Sequence, residues 1–264
     1  MLPLNEKFYN RTKHLLQDGK KTVGAWLQIA SPFTAEIMAR SGFDWLMIDM
    51  EHGPGDILTL ISQLQAIKGY GVDTFVRAPW NDFVAIKRIL DAGVNGILVP
   101  YVNTREEAEA AVQAMQYPTK GIRGVAGSSR AQGYGLGNDN YFPYADEEVM
   151  LMVAMETPEA VGNLDEILKV EGLDGIFIGP MDLATSMGHF CDPSHPEVQE
   201  MIRTIEKKVG ASNKFLGTVA GNFEKAKALY EKGYQYVVTM ADGVALSKAS
   251  RDMVLQFEEQ YKER

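Results

Sequence analysis

Short, nearly continuous apolar runs recur along this chain, each followed by a stretch with helical spacing. WLMIDM, GILVPYV and GIFIGP are the clearest runs. Runs that do not alternate with polar residues suit parallel strands buried on both faces. Eight strands are expected: Thr22–Ile29, Trp45–Met50, Asp73–Pro79, Gly96–Val102, Leu151–Thr157, Gly175–Pro180, Phe215–Ala220 and Tyr234–Ala241. Between them, DILTLISQLQAIKGYG sets Ile57, Leu60, Ile61, Leu64 and Ile67 on one helical face, with Gly69 and Gly71 suited to its end. Thr104 and Glu107 read as a capping box opening a helix over Arg105–Gln116. Glu224–Glu231, before Gly233, is a further short helix, and Asn5–Leu16 is expected to form an extra helix ahead of the first strand.

Alternation of this kind means α/β, and eight units in 264 residues favour a closed (β/α)8 TIM barrel. The rival, an open doubly wound sheet, lacks the G-x-G-x-x-G turn after the first strand. No linker or low-complexity tract divides the chain, so residues 1–264 are read as one barrel domain. The strands start at residues 22, 45, 73, 96, 151, 175, 215 and 234, which puts the surplus length after strands four and six. Both surplus segments are expected at the active rim. The glycine-rich Gly121–Gly137 is read as a functional loop.

Composition narrows the function. The net charge is −9, from 26 basic and 35 acidic residues, which argues against general nucleic-acid or anionic-membrane binding. Cys191 is the only cysteine, so no intrachain disulfide and no cysteine-cluster metal site can form. No apolar run has the length of a membrane span, and Met1–Lys21 lacks the apolar core of a signal peptide. A cytoplasmic enzyme is the expectation.

In a barrel of this kind the chemistry lies at the C-terminal ends of the strands. The polar residues expected there are Asp49, Glu51 and His52 after strand two, Arg77 in strand three, Glu156 in strand five, Asp182 after strand six, and Thr239 and Asp242 near strand eight. Glu156 and Asp182 fall one unit apart, on neighbouring strands. Two carboxylates held together repel unless protonated or bridged by a cation, and hard oxygen ligands suit Mg²⁺ or Mn²⁺. Each alone also reads as a helix N-cap. Arg77 could clamp a carboxylate and stabilise an oxyanion, or pair with Asp49 or Glu51, or do both. His52 suits a general acid or base. His189 and His195 read as loop histidines, and His14 belongs to the extra helix. Asp91 stands at a helix C-terminus, where an acid is unfavourable. GIRGVAG does not match a phosphate loop, and Arg123 is its only basic residue.

These residues carry a resemblance. FDWLMIDMEHGP (43–54), RAPWND (77–82), VPYVNTREEA (99–108), YPTKGIRG (117–124), ETPEA (156–160) and GLDGIFIGPMDLATSMG (172–188) resemble the HpcH/HpaI family of metal-dependent, class II pyruvate aldolases. The resemblance implies reversible aldol cleavage of a 4-hydroxy-2-oxo acid to pyruvate and an aldehyde. It implies Glu156 and Asp182 as ligands of a divalent metal (Mg²⁺, Mn²⁺ or Co²⁺), His52 as catalytic acid/base paired with Asp91, and Arg77 on the pyruvate enolate. Gly179, Pro180 and Met181 would line the pyruvate pocket, with Asp49 and Glu51 orienting the arginine and metal-bound water. It also implies a homo-oligomer, a hexamer, with an exchanged final helix.

Three departures stand out: Ala154 where the family often has glutamine, Met181 where it often has a small residue, and the unusual stretch VAGSSRAQGYGLGNDN that follows GIRG. Three other readings are kept at this stage: a lyase acting on a CoA thioester, an oxaloacetate decarboxylase, and a non-catalytic oxo-acid binder. The final helix, Val244–Gln260, has an apolar face through Leu246, Ala249, Met253, Val254 and Phe257 that fits either its own barrel or a neighbour's.

Overall fold

The computed structural model describes residues 6–262. Helix α1 (Arg11–Gln17) leads into β1 (Thr22–Leu27), followed by α2 (Pro32–Arg40), β2 (Trp45–Asp49), α3 (Ile57–Ile67), β3 (Asp73–Arg77), α4 (Phe83–Ala92) and β4 (Gly96–Val99). The second half holds α5 (Arg105–Met115), α6 (Asn138–Glu148), β5 (Met150–Met155), α7 (Pro158–Gly162), α8 (Leu164–Ile167) and β6 (Gly175–Ile178). It ends with α9 (Pro180–Ser186), α10 (Pro196–Gly210), β7 (Phe215–Val219), α11 (Phe223–Glu231), β8 (Tyr236–Ala241) and α12 (Asp242–Gln260). All eight strands pair in parallel and in sequence order, and β8 pairs with β1 to close the barrel.

The two faces of each strand feed two cores. Outward residues such as Leu46, Ile48, Val76, Leu151 and Val153 pack beneath the helices. Inward residues fill the barrel: Trp26, Trp45, Met47, Phe75, Met150, Met152, Ala154, Phe177 and Tyr236. Trp45 stacks on Tyr236 at 3.6 Å, with Phe75 edge-on to both. Gly24 makes room for this aromatic layer, since a Cβ there would stand 2.2 Å from the Trp45 ring. Strand parity then decides the site. Asp49 follows Trp45 and Met47 on the inward face, Arg77 follows Phe75, and Glu156 follows Met150, Met152 and Ala154, all toward the C-terminal rim.

Local expectations mostly hold. The Thr104–Glu107 capping box is formed, and α3 buries Leu60, Leu64 and Ile67. Three expectations need correction. The helix expected over Asn5–Leu16 begins only at Arg11, because the Asn10 side chain caps it by accepting from Lys13 N; Asn5 lies outside the described residues. Several strands stop one to three residues early. Strand β4, for example, ends at Val99, before Pro100, which has no N–H to donate to a ladder.

The glycine-rich segment is the third. It lies at the N-terminal end of the barrel, away from the active rim. Helix α5 runs antiparallel to β4 and delivers the chain to that end, where Ala131 N donates to Asp91 O at 3.0 Å and Arg130 reaches Ala92 O. Only the surplus after β6 leaves from the active rim.

Candidate active site

Asp49 and Arg77 are direct neighbours in the β2–β3 register. Arg77 Nε and Nη2 donate to the two Asp49 oxygens at 3.0 and 2.6 Å, a bidentate pair buried in the barrel mouth. Arg77 Nη1 meets Glu51 Oε2 at 3.1 Å, and the guanidinium lies 4.6 Å from the Trp26 ring centroid. A guanidinium has five N–H donors. Two are hydrogen-bonded here, both to Asp49, so three remain: one on Nη2 and both on Nη1, which Glu51 meets only as an ion pair. One from each terminal nitrogen lies on the outer edge of the fork. Both readings of Arg77 are therefore compatible: its ion pairs fix the plane that presents this edge.

Asp49 also accepts from Gln28 Nε2 at 2.9 Å and from the backbone N–H groups of Glu51 and His52. Burial alone would raise its carboxyl. The Arg77 bonds, aided by Gln28 and the His52 N–H, more than offset that and hold it below its usual range. One carboxylate thus fixes both the arginine and the turn that carries His52. The His52 side chain is 62% exposed, with Nε2 3.6 Å from Glu51 Oε2. Glu51 is pushed up, first by burial and then by Asp49 and Asp182, against the pull of Arg77 and His52.

Glu156 lies opposite, 5% exposed. Its Oε2 accepts from Tyr101 N at 2.9 Å, and Ser186 Oγ donates to its backbone carbonyl at 2.8 Å. Burial pushes its carboxyl up to about 7. The negative charges of Asp182 and Glu51 add to this, while the Tyr101 N–H and Arg77 oppose it. Asp182 sits in the first turn of α9 and is exposed. Gly179 allows the close approach of these elements, since a Cβ there would fall 2.7 Å from the Glu156 side chain. A buried carboxylate raised by a neighbouring acid is a place where a cation lowers the energy. Two carboxylate ligands leave positions for substrate and water around a hard divalent ion, so the donors fit such a metal.

Asp91 is placed elsewhere. It sits near the end of α4, eight residues down the helix from Phe83, or about 12 Å at 1.5 Å per residue. There it accepts from Arg123 Nη2 at 3.0 Å, and Arg123 is fully buried between Tyr117 and Tyr141. A single chain does not make the expected His52–Asp91 pair. Arg123 serves this internal network, in keeping with the absence of a phosphate-loop pattern. Asp242 is also committed: it accepts from Gln28 N at 2.8 Å and Thr34 Oγ1 at 2.9 Å, tying the start of α12 to the end of β1. Ala154 is buried in the barrel interior among apolar neighbours and makes no polar contribution.

Sequence reasoning missed Tyr101, Trp80 and Trp26. Tyr101 has φ +57°, a strained left-handed conformation for a tyrosine, and this conformation accompanies its N–H bond to Glu156. Its half-exposed ring stacks on Trp80 at 5.7 Å. Trp26 is buried beneath Arg77, and its indole N–H has no partner among the described residues. The strand pattern flags Trp26 as apolar and inward, but nothing in VPYVN marks a left-handed residue.

A family model described as HpcH/HpaI aldolase/citrate lyase matches residues 22–249. The chain belongs to this family. It is 41% identical over 249 residues to the 4-hydroxy-2-oxo-heptane-1,7-dioate aldolase of Escherichia coli, covering 94% of this chain and 95% of the relative. It is 40% identical to the hydroxypyruvate/pyruvate aldolase of Cupriavidus necator, covering 98% and 95%. The crystal structure of an HpcH/HpaI aldolase/citrate lyase family protein from Burkholderia cenocepacia superposes with a TM-score of 0.90 at 34% identity, covering 94% of this chain and 99% of that one. Family and fold agree with the reading drawn from the motifs.

Proposed function

We propose that this family member is a lyase that cleaves a 4-hydroxy-2-oxo acid reversibly to pyruvate and an aldehyde, using a divalent metal held by Glu156 and Asp182. The observation that carries this reading is the outer edge of Arg77, held by Asp49 and Glu51 in a barrel mouth that also contains Glu156. Mg²⁺, Mn²⁺ or Co²⁺ would supply Lewis acidity to the oxo acid's oxygens.

The chain's own residues account for the rest. Arg77 directs the N–H donors of its outer edge at the C2 oxygen. As the C3–C4 bond breaks, its electron pair moves into the C2–C3 bond and negative charge gathers on that oxygen. His52 takes the proton of the C4 hydroxyl, which becomes the aldehyde carbonyl. Its exposure lets that proton exchange with solvent. Protonation at C3 then gives pyruvate. Gly179, Pro180 and Met181 line the pocket, and Asp49 and Glu51 orient Arg77. No lysine stands among these residues, so no Schiff base is required.

The exposed face of α12 supports a homo-oligomer. Leu246, Met253, Val254 and Phe257 are exposed, so the apolar stripe does not pack on its own barrel, and a neighbouring copy is proposed to cover it. No helix among the described residues is long and apolar enough to cross a membrane.

Pyruvate release from a 4-hydroxy-2-oxo diacid, followed by a coupled reductase, tests the activity. The expected result is turnover with Mg²⁺ or Mn²⁺ that chelator abolishes and borohydride leaves intact. A borohydride-trapped lysine adduct would overturn the mechanism.

A further inference from the structure

Beyond the barrel mouth, the segment between α9 and α10 and the first turn of α10 bring together three side chains with no role in the chemistry above. Among the described residues, ligand atoms of His189, His195 and Glu197 all lie within 4.8 Å of one another. His189 Nε2 is 2.9 Å from Glu197 Oε2, and the two imidazole rings stack with centroids 3.5 Å apart. We infer that these three residues form a second, transition-metal site of the Zn²⁺ type, separate from the carboxylate pair.

The donor set sets the class of metal. Two imidazoles and one carboxylate suit Zn²⁺, with water in the remaining position, whereas Mg²⁺ prefers oxygen ligands. The distances need only a small change, while the two rings, stacked with planes 16° apart, must turn about their side-chain bonds so that their in-plane nitrogen lone pairs converge on one ion. Two ligands at about 2.0–2.2 Å on one tetrahedral Zn²⁺ stand about 3.4 Å apart. The 2.9 Å contact between His189 and Glu197 would open by roughly half an ångström as the metal replaces the shared proton.

His195 is the residue most in need of another account. It holds the N-cap of α10, a place where Ser, Thr, Asp or Asn is preferred, and its Nδ1 accepts from Glu197 N at a long 3.3 Å. A metal on that nitrogen would displace a weak cap. The backbone around the cluster is already ordered. His189 N donates to Ala184 O at 2.9 Å, Ser194 N to Asp192 Oδ1 at 3.1 Å, and Gln199 Nε2 to Pro193 O at 2.7 Å. Little chain entropy would be lost on binding. The metal would tie the far end of α9, whose first turn carries Asp182, to the start of α10.

The test is Zn²⁺ binding to the untagged full-length chain, read by competition with a chromophoric chelator. In an E156Q/D182N background, which removes the carboxylate pair, one Zn²⁺ per chain is expected. Adding H189Q should weaken it by about tenfold or more, since even changes beside a ligand cost that much. The H189Q single variant keeps every residue of the barrel mouth. It should release pyruvate with Mg²⁺ as the unsubstituted chain does while binding one Zn²⁺ fewer, which keeps the test open if the E156Q/D182N chain does not fold. Absence of Zn²⁺ from both backgrounds, or Zn²⁺ affinity unchanged by H189Q, would overturn the inference. The Zn²⁺ count does not depend on pyruvate turnover, so it stands or fails apart from the aldolase reading.

Discussion

Arg77 is the residue on which the most geometry converges. Lysine at this position keeps the charge but loses the planar fork, so it cannot pair with Asp49 through two N–H groups and still present two others outward. Arg77→Lys is expected to lower kcat/KM by about 10²–10³, the scale of losing an oxyanion donor, with the fold retained by circular dichroism. Glu156 makes a second prediction. Its carboxyl is raised to about 7, so below that pH a proton occupies the place a cation needs. Apparent Mg²⁺ affinity, measured by calorimetry, should be level above about pH 7 and fall by up to about tenfold per unit below it. Affinity independent of pH between about 5.5 and 8 would contradict the raised carboxyl. Gly179→Ala should also weaken Mg²⁺ binding while the chain folds, because the new methyl meets the Glu156 side chain.

Elements differ in how much of them the sequence discloses. The strands were legible because burial on both faces leaves unbroken apolar runs, and Glu156 could be placed because it is the polar residue that ends the fifth run, at the C-terminal end where a barrel carries its chemistry. The capping box was legible because both partners are local in sequence. Removing it through Thr104→Ala should cost about 1 kcal/mol and lower Tm by about 2–4 °C, with kcat unchanged. Tyr101 was hidden because its left-handed turn accompanies a bond to a residue 55 positions away. The glycine-rich segment was misplaced for another reason. Its composition suggested function, whereas its location followed from one antiparallel helix after β4. Asp91 lies at that same end, bound to Arg123, because α4 carries it away from the rim.

At the scale of the whole molecule, α12 packs chiefly on β1 and β8, its first residue Asp242 also accepts from Thr34 of α2, and its exposed apolar stripe calls for a second copy of the chain. Light scattering should find an oligomer, and Phe257→Asp together with Met253→Asp should shift it toward smaller species that still fold. The central claim concerns the chemistry, and the exchange of pyruvate's methyl protons in deuterated buffer tests it without knowledge of the aldehyde. With Mg²⁺ or Mn²⁺ the chain should exchange them, and chelator or Glu156→Gln should stop it. No exchange with metal present, or exchange that survives chelation, would contradict the account.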